Sequence, residues 1–400
     1  MLESLAFVCL GGLLLGGVCE RLHLPRLLGM LLAGILLGPS VCNVLDAGLL
    51  AISADLRQIA LIIILMRAGL NLDLSALKRL GRPAVCMCFV PACLEIIGVL
   101  LLAPPLLGLS WVEAAVLGTV LAAVSPAVVV PKMLHLMETG RGVRQGIPQL
   151  IMAGASVDDV FVIVLFTACT GLAQGEAISI LSLARIPISI LFGLLGGVFA
   201  GGIMAALFGR VSLRDSAKGL VMVSVAFLLI ALERTLTGVV GFSGLLAVMG
   251  MGVALQRRQG EVAARLSRKF EKIWVGAEIL LFVLVGAAVP VSYALRAGLL
   301  PLAVIAGALA FRMLGVWLCL LRTPLTRCER WFCMLAYTPK ATVQAAIGSI
   351  PMTMGLACGP MVLTTAVLSI LITAPLGAAA IDQSAPRWLT KDNSEQRIIK

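Results

Sequence analysis

Residues 336–349 read AYTPKATVQAAIGS, and residues 123–132 read AVSPAVVVPK. Each stretch lies inside a long apolar run and places proline, beside serine, threonine or lysine, where a membrane-spanning helix has its middle. Proline removes a backbone donor and collides with the preceding turn, so a helix that meets it kinks or breaks. In hydrocarbon the freed backbone groups are tolerated only where they line a cavity or are buried in protein. Taken alone, either stretch reads equally as a plain proline kink. As a matched pair in two halves of one chain, they mark a transporter with inverted repeats and a site near the bilayer midplane.

That reading requires a membrane around the chain, and composition supplies one. Of 400 residues, 60% are hydrophobic and 13% charged, with a mean hydropathy of +1.08. This is too apolar for a soluble domain, so the chain reads as an all-α integral membrane protein. About 13 apolar segments approach the length, roughly 17 to 25 residues, that a helix needs to cross the bilayer, from Leu5–Leu22 to Met361–Ala380. The second, Leu24–Leu37, and the ninth, Phe242–Leu255, are short, which implies tilt, a break or local thinning. The N-terminus lacks a basic region ahead of its apolar run and reads as the first span rather than a signal peptide.

Basic residues collect after every odd-numbered segment: Arg21 and Arg26, then Lys78, Arg79 and Arg82, then Lys132, Arg141 and Arg144, and so on to Arg322, Arg327 and Arg330. By the positive-inside rule these loops are cytoplasmic, which puts the N-terminus outside and the C-terminus inside. The net charge of +11 is therefore an orientation signal and not a nucleic-acid patch. Gln256–Lys272 reads as an amphipathic cytoplasmic linker, either touching the lipid surface or serving as a solvated connector. The 11 cysteines form no CxxC pair, and His23 and His135 are the only histidines, so no structural metal, disulfide framework or cofactor is expected. No GxxxxGK[ST] motif is present, which leaves ion gradients as the driving force.

Ionisable residues within spans are costly, about 2.5 to 3.5 kcal/mol each on insertion scales, and persist where they have partners or a cavity. Those that qualify are Glu95, Asp158, Asp159, Arg312 and Lys340; Arg67, Glu233 and Glu278 lie nearer span edges and read as interfacial. Residues 153–163, AGASVDDVFVI, place the two acids side by side. Neighbours on a helix point about 100° apart, so Asp158 and Asp159 cannot share a partner. One is expected to face a fixed cation and the other a cavity, unless the helix begins near Ser156 and both meet water. Half-helix ends at the breaks carry partial charges, and Lys340 is placed to offset those that are negative.

Enzyme readings fare poorly. Gly241–Gly244 spell GFSG, the nucleophile pattern of rhomboid-type intramembrane proteases, but both histidines lie in loops, and glycines also serve close helix packing. An intramembrane aspartyl protease needs its acids on facing helices, not adjacent on one.

The combination of SPAVVVPK, AGASVDDV, FRMLG, TPKATVQAAIGS and LSILITAPLGA resembles the monovalent cation:proton antiporter superfamily, most closely its NHA subgroup of sodium/hydrogen antiporters, from about Leu27 to Ala380. The resemblance implies about 13 helices in inverted repeats with two crossed broken helices. It implies a mobile core, about 83–172 and 299–380, that moves like an elevator against dimerisation helices, about 1–72 and 187–291, with a cytoplasmic tail at 382–400. A homodimer in a bacterial inner membrane is the expected form. Asp159 would alternate between Na+ or Li+ and H+, and Asp158 would assist or pair with a cation. Glu95 would pair with Arg312, while Ser125, Pro126, Thr338, Pro339 and Lys340 would build the crossover. Ser125, Ser156, Gln344 and unwound carbonyls are the further candidate ligands, since small hard cations prefer oxygen. A buried carboxylate that holds a proton near neutral pH lets H+ and Na+ compete for one site. Where electrogenic relatives carry lysine, Arg312 effectively cannot lose its proton, so electroneutral one-for-one exchange is expected. The alternatives are K+/H+ exchange on the same scaffold and sodium-coupled symport of an organic anion.

Overall fold

A computed structural model describes residues 1–71, 81–174, 180–211, 213–236 and 241–391. The Lys78 and Arg79 charges, residues 392–400 of the expected tail and the Ser156 side chain lie outside the described residues. Every regular element described is a helix. The first stretch holds α1 (Leu2–Arg21), α2 (Arg26–Leu37), α3 (Ala47–Ala51) and α4 (Ser53–Asn71). The next holds α5 (Arg82–Met87), α6 (Val90–Leu107), α7 (Trp111–Leu121), α8 (Pro126–Glu138) and α9 (Ile147–Ala173). These are followed by α10 (Ile180–Arg210), α11 (Asp215–Leu236), α12 (Gly244–Arg258), α13 (Gly260–Ala287) and α14 (Val291–Ala297). The chain closes with α15 (Leu300–Cys319), α16 (Arg327–Ala336), α17 (Thr342–Ile347), α18 (Ile350–Thr353) and α19 (Gly359–Trp388).

Among the described residues, 8 helical stretches are long and apolar enough to cross a membrane unaided, fewer than the 13 segments expected. The short second and ninth segments appear as α2, of 12 residues, and α12, of 15. Helices α1, α2, α4 and α10–α13 pack mainly on one another, as do α5–α9 with α15–α19. Between the two groups the contacts are sparse, running through α17 against α4 and α13 and through α2 against α19.

Both expected breaks are present, and they cross. Residues 122–125 separate α7 from α8, residues 337–341 separate α16 from α17, and the Ser125 backbone N–H donates to the Pro339 carbonyl at 2.8 Å. Pro126 opens α8 at the one helical position where a missing N–H costs nothing. Each broken span also begins on the same device. Ser110 with Glu113 ahead of α7, and Thr326 with Glu329 ahead of α16, form capping boxes that satisfy the first backbone donors reciprocally.

Two expectations change. Gln256–Lys272 is no separate linker: it is the end of α12 and the first half of the 28-residue α13, whose Ala263, Leu266 and Phe270 are buried against the protein while Arg265 pairs with Asp215 at 3.0 Å. The apolar face thus packs on neighbouring helices instead of lipid. The tail does not begin at residue 382, because α19 continues to Trp388 and Asp382 pairs with Lys132 of α8. Ser243 of GFSG caps α12, its hydroxyl accepting from the Leu246 N–H.

Candidate functional site

The crossing is organised by one side chain. Arg312, on α15, is 0% exposed, and its fork serves four acceptors on four elements. Nε donates to the Tyr337 carbonyl at 2.6 Å, Nη1 to Glu95 Oε2 at 2.7 Å and to the Ala122 carbonyl, and Nη2 to Asp158 Oδ2 at 2.7 Å. Ala122 and Tyr337 are the C-terminal caps of α7 and α16, so the two partially negative half-helix ends meet at this guanidinium. The compensation expected of Lys340 therefore belongs to Arg312, because a planar fork of five donors reaches several acceptors that a compact ammonium cannot. Lys340 gives its charge to Glu95 instead, Nζ to Oε2 at 2.6 Å, while its backbone N–H donates to Thr373 Oγ1 at 2.9 Å.

Glu95 reaches Arg312 because α6 and α15 approach closely. A Cβ on Gly98 would stand 2.8 Å from the Phe311 ring, and one on Gly315 would stand 2.7 Å from Pro91 Cα. Larger residues at those points would push the helices, and with them the ion pair, apart.

The backbone groups freed by the breaks find partners, as burial in hydrocarbon demands. The Asp158 carboxylate accepts from the Val124 N–H at 3.0 Å, and Gln344 Nε2 donates to the carbonyls of Ala123 at 2.7 Å and Leu121 at 3.3 Å. Gln344 Oε1 accepts from the Ala341 N–H at 2.9 Å. Gln344, expected as a ligand, is thus a clamp between the two breaks, its amide committed at both ends. The Thr338 hydroxyl bonds back to the Leu335 carbonyl at 2.8 Å, and the Ser125 hydroxyl is buried without a hydrogen-bond partner.

Asp158 and Asp159 sit in the middle of α9, which runs unbroken for 27 residues from Ile147, so they are not a pair at a helix start. Asp158 points into the network, although its Oδ1 makes no hydrogen bond. Asp159, 8% exposed, points elsewhere, its Oδ1 unpartnered, into a cavity of about 20 Å³. The other walls are Leu61, Ile64, Leu65 and Ala68 of α4, Ile163, Thr342 and Val343. Leu61 also lines a larger cavity of about 290 Å³, bounded by Asp55, Arg57 and Gln58 of α4 and by Ala346, Ser349 and Thr353. At ordinary ionisation, Arg312 and Lys340 balance Glu95 and Asp158, which among the described residues leaves Asp159 as the one acid of this cluster without a fixed cation against it.

Sequence reasoning did not place Tyr337, whose hydroxyl donates to the Met87 carbonyl at 3.2 Å and whose ring lies 5.1 Å from the Arg312 guanidinium. Its position beside Thr338 and Pro339 was the available signal.

Comparison with known proteins agrees with the geometry. Residues 5–381 match the model of the sodium/hydrogen exchanger transmembrane family. Human sodium/hydrogen exchanger 9B2 is 36% identical over 384 residues, covering 92% of this chain and 70% of that protein. Human sodium/hydrogen exchanger 9B1 is 34% identical over 390 residues, covering 94% and 74%. The sodium proton antiporter MjNhaP1 from Methanocaldococcus jannaschii shares the fold, with a TM-score of 0.82 over 97% of this chain and 98% of its own at 20% identity. With that match running through both broken spans and the acids between them, the chain belongs to the sodium/hydrogen exchanger family of membrane antiporters.

Proposed function

We propose that the chain exchanges Na+ or Li+ for H+ at Asp159, one for one and without net charge movement. One observation carries this reading: the buried cluster is neutral without Asp159, so that carboxylate needs either a proton or a monovalent cation, and each restores the same charge. Leaving it charged and unpaired in a dry site costs far more than binding either. Arg312 keeps its proton and Asp158 stays paired with it, so neither joins the cycle. Competition of two cations for one carboxylate that is exposed to one side at a time is sufficient for antiport.

Sparse contact between the two helix groups supports an elevator, with residues 83–172 and 299–380 as the moving core against 1–72 and 187–291. The 290 Å³ cavity between α4 and the 346–354 segment is the vestibule of this cycle on the outer side, given an external N-terminus. We place the protein as a homodimer in a bacterial inner membrane.

Proteoliposomes carrying an internal pH dye test the reading. Na+ and Li+ gradients should drive proton movement by the wild type that is unchanged by an imposed membrane potential and absent from Asp159→Asn. The apparent KM for Na+ should rise as pH falls, by up to about tenfold per unit where proton and cation compete for one group. Full exchange by Asp159→Asn refutes the site, and a rate that follows the potential refutes electroneutrality. A response to K+ alone moves the assignment to K+/H+ exchange, and proton-independent uptake of an organic anion moves it to symport.

A further inference from the structure

We infer that Thr342 supplies a neutral oxygen ligand to the cation at Asp159 and so determines which monovalent cation the site accepts. The inference rests on the reading of Asp159 as the ion carrier and adds a residue to it.

Thr342 opens α17, directly after the second break, and is 1% exposed. A threonine hydroxyl can donate one hydrogen bond and accept two, yet Thr342 Oγ1 makes none. A buried hydroxyl left without a partner costs about 1 to 3 kcal/mol, so its retention points to a partner that arrives from outside. Other hydroxyls around the crossing are engaged: Thr338 with the Leu335 carbonyl and Thr373 with the Lys340 N–H. Ser125 and Thr364 are also unpartnered, but neither lines the cavity at Asp159, whereas Thr342 does.

Among the described residues, that cavity has two polar ones in its wall, Asp159 from α9 and Thr342 from α17, and each carries a buried oxygen without a hydrogen bond. The other described residues of its wall are aliphatic and can neither hydrate a cation nor pair with the hydroxyl. About 20 Å³ is close to the space one water molecule occupies. Li+ and Na+ enter such a space with little or no accompanying water, while K+ fills it alone. In so dry a site each protein oxygen replaces a lost water ligand, and hard cations hold oxygen ligands the more strongly the smaller they are. A proton on Asp159 needs no second ligand. Thr342 therefore acts on cation affinity and cation choice, and leaves proton binding alone.

Thr342→Val removes the hydroxyl at nearly constant volume. In proteoliposomes the apparent KM for Na+ and Li+ should rise roughly tenfold, the energy of one modest ligand, with a smaller rise for K+, so that discrimination against K+ narrows. The pH dependence at saturating cation should stay in place, and Thr342→Ser should keep wild-type constants within about twofold. Purified Thr342→Val should also lose most of the thermal stabilisation that Na+ gives the wild type, a readout independent of turnover. Thr342→Ala serves if the valine does not fold. Wild-type KM values and wild-type cation preference in both Val and Ala variants would overturn the inference while Asp159→Asn remains inactive. Activity in Asp159→Asn would instead remove the reading beneath it.

Discussion

Two faces of α9, one residue apart, are built on opposite rules. On the Asp158 side, Arg312, Lys340, Glu95, Gln344 and backbone groups of both breaks lock into one hydrogen-bonded network. On the Asp159 side, one carboxylate and one hydroxyl look across a small cavity at four aliphatic residues of α4. The acids are chemically identical, and the 100° step between adjacent helical residues alone separates their surroundings. A carboxylate facing a fixed guanidinium is a structural part, while one facing aliphatic side chains must obtain its counter-charge from solution. Charge in this core is thus sorted by direction, and substitutions on the two faces should fail differently.

The largest effect is expected at Arg312. Arg312→Met strands Asp158 and two half-helix carbonyls and leaves Glu95 to Lys340 alone, and removal of one partner from a buried pair costs about 3 to 5 kcal/mol. Loss of monodisperse, folded protein in detergent is the expected outcome, and a stable Arg312→Met would show that the crossing holds without its cation. Arg312→Lys restores the charge but not the fork, so it should remain less stable than the wild type.

Next comes the contrast between the two acids. Asp158→Asn removes the charge opposing Arg312 and weakens the bond from Val124, a loss of about 2 to 3 kcal/mol for hydrogen bonds to a charged group. Asp159→Asn removes a charge that has no fixed partner and should leave the melting temperature unchanged or raised. Equal melting behaviour in the two variants would abolish the distinction between the faces, whatever happens to transport.

The sequence already showed the breaks, because two proline-bearing interruptions in corresponding apolar runs outweigh the plain kink that either one alone allows, and it showed the acids, because a charge in hydrocarbon demands a reason. The Glu95–Arg312 pair was reached through family resemblance, since the partners are 217 residues apart and meet only where Gly98 and Gly315 let α6 and α15 close. That Arg312 also reaches Asp158 and both half-helix ends was beyond reach for the same reason: contact across helices depends on packing, which periodicity does not encode. The exchange of roles between Lys340 and Arg312 follows from donor geometry and needed the crossing in hand. The repeated capping boxes are legible as S-W-V-E and T-R-C-E, a signal of helix starts that hydropathy does not carry. Hydropathy also misplaced the start of the tail and the linker, because it marks where a segment turns polar, while α13 and α19 stay helical across that point.

The smallest effect is expected where a short ion pair lies outside the network. Lys132 and Asp382 join α8 to the end of α19, and their side chains are 33% and 55% exposed. Water competes for both ends of such a pair, and exposed ion pairs contribute about 0 to 1 kcal/mol. Lys132→Gln should therefore lower the melting temperature by no more than a few degrees, and less at high salt, where the wild-type pair is already screened. It should leave the cation KM unchanged, since none of the described residues around it lines the cavity at Asp159. A large loss of stability would mean that distance outweighs burial in deciding which charges hold this core. The contrast between the two faces of α9 would then lose its physical basis, because it rests on Arg312 being expensive to remove for want of water rather than for the length of its bonds.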